Sequence, residues 1–228
     1  AWFDRPGYVG SMAKLVQHEL DQYTAAERDM GGLHVLFSAH GVPQSYIAAG
    51  DPYQDQIEGC VELISQQLPK DVTVHLSYQS RVGPVEWLRP YTDDVLKQLG
   101  ADGVKNLVVV PISFVSEHIE TLEEIDVEYR ELAEESGIRH WGRVPALNTN
   151  ERFIDDLAQA VLEALPYADS LYSRELQSAD GRQALVPVGT TVEDLVALYD
   201  NPSVFDNQPS AVDTIINGKG RAIPWYLD

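Results

Sequence analysis

One cysteine, two methionines and sixteen basic residues against thirty-six acidic ones leave several classes of protein closed to this 228-residue chain. With Cys60 alone, no disulfide can close within the chain and no cysteine-ligated cluster can form from it. Cys60 lies between Ile57, Val61 and Ile64 on an amphipathic stretch, where it reads as a small core residue. The scarcity of lysine and arginine gives a net charge of −20, which argues against nucleic acid or an anionic membrane as a partner. It suits a cationic partner, or a subunit kept soluble by its charge. Nowhere do about 18 apolar residues run together, so no segment reads as a membrane-spanning helix. What is present, 44% apolar and 9% aromatic residues, is enough for one large globular domain or one and a half ordinary ones. The chain opens on Ala1 rather than methionine and shows no signal or transit peptide. It therefore reads as either a processed chain or a fragment.

Three apolar, β-branched runs read as parallel strands buried on both faces: Leu33–Ser38, Val72–Tyr78 and Leu107–Ser113. Helical patterns accompany them at Gly10–Tyr23, Gln54–Gln67, Asp93–Leu99, Thr121–Ser136 and Asn150–Leu165. In the last, Phe153, Leu157, Val161 and Leu165 recur every fourth residue. A short fourth strand is expected at Arg143–Leu147. The alternation predicts an α/β fold: a doubly wound parallel sheet in three layers over residues 30–166, preceded by a helical segment, 1–29. Residues 167–228 are expected to form an extended tail. It carries one short helix, Val192–Tyr199, opened by a capping box at Thr190–Glu193, and an apolar end, Ala222–Leu227, suited to docking.

Each expected strand ends in polar residues: Ser38-Ala39-His40-Gly41-Val42-Pro43, then Ser77-Tyr78-Gln79-Ser80-Arg81, then Ser116-Glu117-His118-Ile119-Glu120. Parallel strands put all three ends on one edge of the sheet, where open α/β domains bind ligands. Two imidazoles and a carboxylate there suit a borderline divalent metal, and they suit proton transfer equally well. Glu120, Glu124 and Glu128 place like charges four residues apart twice over, at a cost of about 0.2–0.5 kcal/mol per pair in a helix. Stability alone does not explain that spacing; a cationic ligand does. A regular α-helix rotates such residues out of line, and a π-type turn would align them. The competing reading makes them one solvated acidic face with Glu123, Glu131, Glu134 and Glu135.

Three blocks of sequence, Leu36–Pro43, Tyr78–Leu88 and Phe114–Ile125, resemble the signature blocks of the ferrochelatase family. That family inserts ferrous iron into protoporphyrin IX to make protohaem. Gly50-Asp51-Pro52-Tyr53 and Trp141–Leu147 resemble its plastid and cyanobacterial branch, and the likeness runs over residues 1–166. It implies that His40 is the active-site histidine that takes pyrrole protons or holds the metal, faced by Glu120, with His118 beside them. It further implies that Glu124 and Glu128 continue the metal-handling row outward from His40 and Glu120, and that Gln79, Ser80, Ser116 and Glu117 line the pocket or relay protons. No tightly bound cofactor is implied, since iron and porphyrin are substrates.

Ferrochelatases have two similar α/β halves around the porphyrin cleft, and this chain resembles only the second. The resemblance thus implies a second half-domain from another chain, or a homodimer partner. The rival expectation is a non-catalytic, ferrochelatase-derived subunit of a larger, photosynthetic assembly, held on a membrane-protein complex through residues 200–228. The implied location is the chloroplast stroma, the thylakoid surface or the cyanobacterial cytoplasm.

Overall fold

A computed structural model describes residues 2–178, apart from the side chains of Glu120 and residues 166–178. Four parallel strands form one sheet in the order β2-β1-β3-β4: β1 Leu33–His40, β2 Val72–Gln79, β3 Asn106–Pro111 and β4 His140–Arg143. Helices α1 (Pro6–Leu20) and α4 (Tyr53–Ser65) cover one face, over Val35, Phe37 and Ala39 of β1 and Val108 and Val110 of β3. Helices α5 (Thr92–Ala101) and α7 (Tyr129–Glu135) cover the other, over Leu36, Leu107 and Val109. Side-chain alternation along a strand sends neighbours to opposite layers, so a strand buried on both sides is apolar at nearly every position. The three-layer α/β architecture matches the expectation.

The remaining differences have physical causes. The expected strand at Arg143–Leu147 lies upstream, at His140–Arg143. Val144 still donates its N–H to the Val109 carbonyl, but Pro145 has no N–H with which to extend the ladder. Two short helices were not anticipated, α2 (Ala25–Asp29) and α3 (Gln44–Ala48). Helix α2 opens with a true capping box: the Glu27 N–H donates to Thr24 Oγ1, and Glu27 Oε2 accepts the Thr24 N–H at 2.7 Å. The segment expected as Thr121–Ser136 is three pieces: α6 (Ile119–Glu123), a π turn at Glu124–Glu128, and α7. The π turn is the geometry that aligns carboxylates four residues apart.

Helix α8 runs Glu151–Ser178, through Pro166, so residues 167–178 are helical rather than extended. A proline removes one backbone donor, but its fixed φ is helical, and good helix formers (Leu162, Glu163, Ala164, Leu165) precede it. Contacts divide the chain within this helix, into units 1–164 and 165–228. The helix expected at Val192–Tyr199, the apolar end Ala222–Leu227 and the docking segment 200–228 lie outside the described residues. No helix among the described residues is long and apolar enough to cross a membrane.

Within the first unit, the start of α1 is fastened to α8. Asp156 accepts the N–H groups of Gly7 and Tyr8 at 2.7 and 3.1 Å and the Arg5 guanidinium at 2.8 Å. It thereby satisfies orphan donors that the first turn of α1 lacks a local cap for. A Cβ at position 7 would collide with Asp156, so only glycine admits this approach.

His34 of β1 and His75 of β2 form a half-buried pair, Nδ1 to Nε2 at 3.0 Å. Burial holds both rings below the ordinary 6.5, and for His75 the neighbouring His34 adds to the effect. With folded values depressed, the unfolded chain binds more protons once pH falls to about 6.5, so stability is lost on acidification. Urea midpoints should be lower at about pH 5.5 than at about pH 7.5, and His75→Gln should narrow that gap. An undiminished gap in the variant would show that the pair has no part in the acid loss.

Candidate functional site

The carboxyl edge of the sheet is where the polar strand ends lie. His40 closes β1, in register with Gln79, which closes β2. The His40 backbone is fixed from both sides: its N–H donates to Ser113 Oγ at 2.9 Å, and its carbonyl accepts the Tyr53 hydroxyl at 2.7 Å. Its ring nitrogen Nδ1 lies 2.8 Å from the Gly41 carbonyl. A carbonyl can only accept, so Nδ1 carries the hydrogen and Nε2 is left with the lone pair, ready to take a proton or a metal. The Gly41 N–H in turn donates to the Gln79 carbonyl, and a Cβ at position 41 would stand 2.8 Å from that oxygen; glycine is required there. Phe114, beyond β3, sets its ring edge-on to His40 at 6.2 Å and stacks on His118 at 5.8 Å. The two imidazoles therefore flank one phenyl ring.

The end of β2 grips the π turn. Ser80 adopts a left-handed backbone, φ 64°, and its hydroxyl donates to Glu124 Oε2 at 2.7 Å. Gln79 Nε2 donates to the same oxygen, also at 2.7 Å. A cavity of about 250 Å³ opens here, lined by Gln79, Ser80, Asp93, Glu124, Glu128 and Tyr129, among others. The Tyr129 phenol is pushed well above its ordinary value, first by burial and then by Glu124, Asp93 and Glu128, so it stays neutral. The structure thus gathers Gln79, Ser80, Glu124 and Glu128 around one acidic cavity, and His40 with His118 around Phe114.

Other expected members stand apart. Glu117 does not turn to the cavity. Its two oxygens each lie 3.1 Å from Arg143 Nη1, and Oε1 accepts the Ala146 N–H at 3.0 Å. Attraction to Arg143 decides its direction: in a chain so poor in cations, a carboxylate beside a guanidinium is held by it. Ser116 is exposed on the same loop and does not line the cavity. Glu120 lies in α6, and its side chain is not described. Among the described residues no three histidine, cysteine or carboxylate groups close on one point to hold a metal. Of the expected set, Glu124 is held by Gln79 and Ser80 at the end of β2, Glu128 lines the same cavity, and His40 is held by its own loop.

Several participants escaped the sequence reading. Arg143 joins Glu117 to the π turn through Asp126, at 2.7 Å. Ser38, Ser77 and Thr92 line up behind Gln79. A second cavity of about 250 Å³, apolar, lies between Trp2, Tyr8, Tyr53, Ile57 and Cys60. There burial pushes the Cys60 thiol up to about 11, which makes it the inert core residue expected. Arg143 left no sequence signal of this role, since no acid stands between residues 137 and 150.

These features define a class: a parallel α/β protein with imidazoles and a carboxylate row on the sheet edge where such folds bind ligands. A family model for ferrochelatase matches residues 1–165, so the chain belongs to the ferrochelatase family. It is 55% identical over 205 residues to "Ferrochelatase-2, chloroplastic" of Oryza sativa subsp. indica, covering 88% of this chain and 38% of that one. The Arabidopsis thaliana protein of the same name is 53% identical with the same coverage. A ferrochelatase of Gloeothece citriformis is 59% identical over 166 residues, covering 72% of this chain and 42% of that one. The chain spans about two fifths of the length of these relatives.

Proposed function

We propose that this chain supplies the metal-handling half of a ferrochelatase, inserting Fe(II) into protoporphyrin IX together with a second half-domain from another chain or a homodimer partner. The supporting observation is the meeting of strand ends: Gln79 and Ser80 hold Glu124 while His40 meets Phe114. Metallation replaces two pyrrole N–H protons by one Fe(II), so it needs a base near neutral pH and a path for a hydrated cation. His40 Nε2 is the base. Glu124 and Glu128, with Glu120 before them, exchange water for carboxylate oxygen around the incoming ion and carry protons outward. His118, stacked on Phe114, borders the porphyrin face. The location that goes with this reading is the plastid or a cyanobacterial cell, as for the relatives. The rival tail-anchored subunit turns on residues 200–228, outside the described residues.

The test is zinc insertion into a water-soluble porphyrin, followed by absorbance. The chain mixed with the amino-terminal portion of the rice relative should insert zinc, and neither piece alone should do so as a monomer. Activity of the chain alone as a monomer would refute the need for a partner; silence of the mixture would refute the enzyme reading.

A further inference from the structure

Behind Gln79 lies a row of buried hydroxyls that the function just proposed does not use. Ser38 Oγ stands 2.7 Å from Gln79 Oε1 and 3.0 Å from Thr92 Oγ1, and Thr92 Oγ1 stands 2.9 Å from Ser77 Oγ. Ser38, Ser77, Gln79 and Thr92 are at most 2% exposed. They come from three elements, β1, β2 and the first residue of α5.

The hydrogens in this row have one consistent order. Glu124 is a carboxylate and only accepts, so Gln79 turns its NH2 to Glu124 and its carbonyl to Ser38. Ser38 then spends its single hydrogen on Gln79, so Thr92 must donate to Ser38. By the same count Ser77 must donate to Thr92. Every O–H points toward the acidic cavity, an arrangement in which each bond polarises the next. The opposite amide orientation would set the Gln79 carbonyl against a carboxylate oxygen at 2.7 Å, two acceptors facing each other. Both donors, Gln79 and Ser80, meet Glu124 Oε2; Oε1 takes no hydrogen bond from the described residues.

We propose that Thr92, Ser38 and Ser77 are positioning residues: their ordered hydroxyls lock the Gln79 amide so that Glu124 Oε2 is pinned and Oε1 is presented to a divalent cation. This rests on the cation-handling reading of Glu124, and the test separates the two. Thr92→Val keeps the shape and removes the hydroxyl, whereas Thr92→Ser keeps the hydroxyl and removes a methyl. In the full chain, nuclear magnetic resonance of the Gln79 side-chain amide should show exchange-protected protons in the parent and in Thr92→Ser. Protection should fall about tenfold or more in Thr92→Val and Ser38→Ala.

Zinc ion titrated alone should bind the parent and Thr92→Ser within about twofold, and Thr92→Val about tenfold more weakly, the usual effect of losing an outer-shell partner. If zinc binds the parent and Thr92→Val equally, or Thr92→Val keeps the protected amide while Thr92→Ser loses it, the positioning role is overturned and Thr92 acts by packing. If zinc fails to bind the parent, the cation-handling reading itself falls. The amide signals still decide the hydrogen-bond order.

Discussion

His40→Ala should lower zinc insertion by the reconstituted protein by about 10²- to 10⁴-fold, the range for loss of a positioned general base. The fold should survive, because what ties residue 40 to its surroundings is backbone: the N–H to Ser113 and the carbonyl to Tyr53. The ring itself makes one contact to Phe114 and one hydrogen bond to the adjacent carbonyl. An alanine loses those and leaves the strand end intact. Thermal melting of the isolated chain should move by no more than a few degrees, which about 1 kcal/mol allows in a domain of this size. Porphyrin quenching and turnover measured on one sample separate the outcomes. Retained insertion within about threefold of the parent would move the base elsewhere, and His118 is then the group to replace.

Arg143→Met should loosen the loop after β3 and the π turn together, without unfolding the sheet. Arg143 bridges two carboxylates, Glu117 at 3.1 Å and Asp126 at 2.7 Å, and its side chain is only 19% exposed. The loop it anchors is stitched at further points: the Asn148 N–H to the Val115 carbonyl at 2.7 Å, and the Glu117 N–H to Asn148 Oδ1 at 3.1 Å. Removing the cation leaves two partly buried carboxylates facing each other. Charge-assisted hydrogen bonds contribute about 1.5–3 kcal/mol each, and solvent screening reduces that at this exposure. A local loss of about 2–3 kcal/mol is expected, or roughly 30- to 160-fold faster amide exchange over residues 117–128. Amides of β1 and β3 should keep their protection. Arg143→Lys should recover only part, because an ammonium cannot reproduce the fork that meets both carboxylates. Uniform acceleration across the sheet, or none in the π turn, would deny Arg143 this local role.

What was legible in the sequence follows from the physics of burial. Strands β1 and β3 announced themselves because both faces are covered, giving the apolar runs Val35–Phe37 and Leu107–Val110. Strand β2, at a sheet edge and only partly buried over Val72–Leu76, was legible from Val72, Val74 and Leu76 at alternate positions. Strand β4 was not: all four residues are half-buried, the strand sits at an edge, and the apolar signal of Val144, Ala146 and Leu147 belongs to the loop beyond it. The apolar stripe of α8 was legible but only partly used, with Phe153 buried and Val161 60% exposed. The capping signature Thr24-Ala25-Ala26-Glu27 stands without a following apolar stripe, because α2 is five residues long and buries none of them.

The acidic row was legible from like charges at four-residue spacing, and the π turn from the need to align them. The hydroxyl row and the Arg143 bridge were not, because each joins residues tens of positions apart. Only strand register and helix docking bring Ser38, Ser77 and Thr92 into line, or set Arg143 between Glu117 and Asp126. A serine or an arginine in the sequence carries no mark of that.

The central claim is that a divalent cation is met at the carboxyl edge of the sheet by the row beside Gln79 and Ser80, and not by the acidic surface at large. Substoichiometric Mn(II) added to the ¹⁵N-labelled chain measures this directly through paramagnetic broadening. The account predicts loss of signal first at residues 78–81 and 118–129, abolished by Glu124→Gln, with α4 and the far end of α7 untouched. Broadening spread evenly over Glu58, Glu62, Glu131 and Glu134, and indifferent to Glu124→Gln, would contradict it.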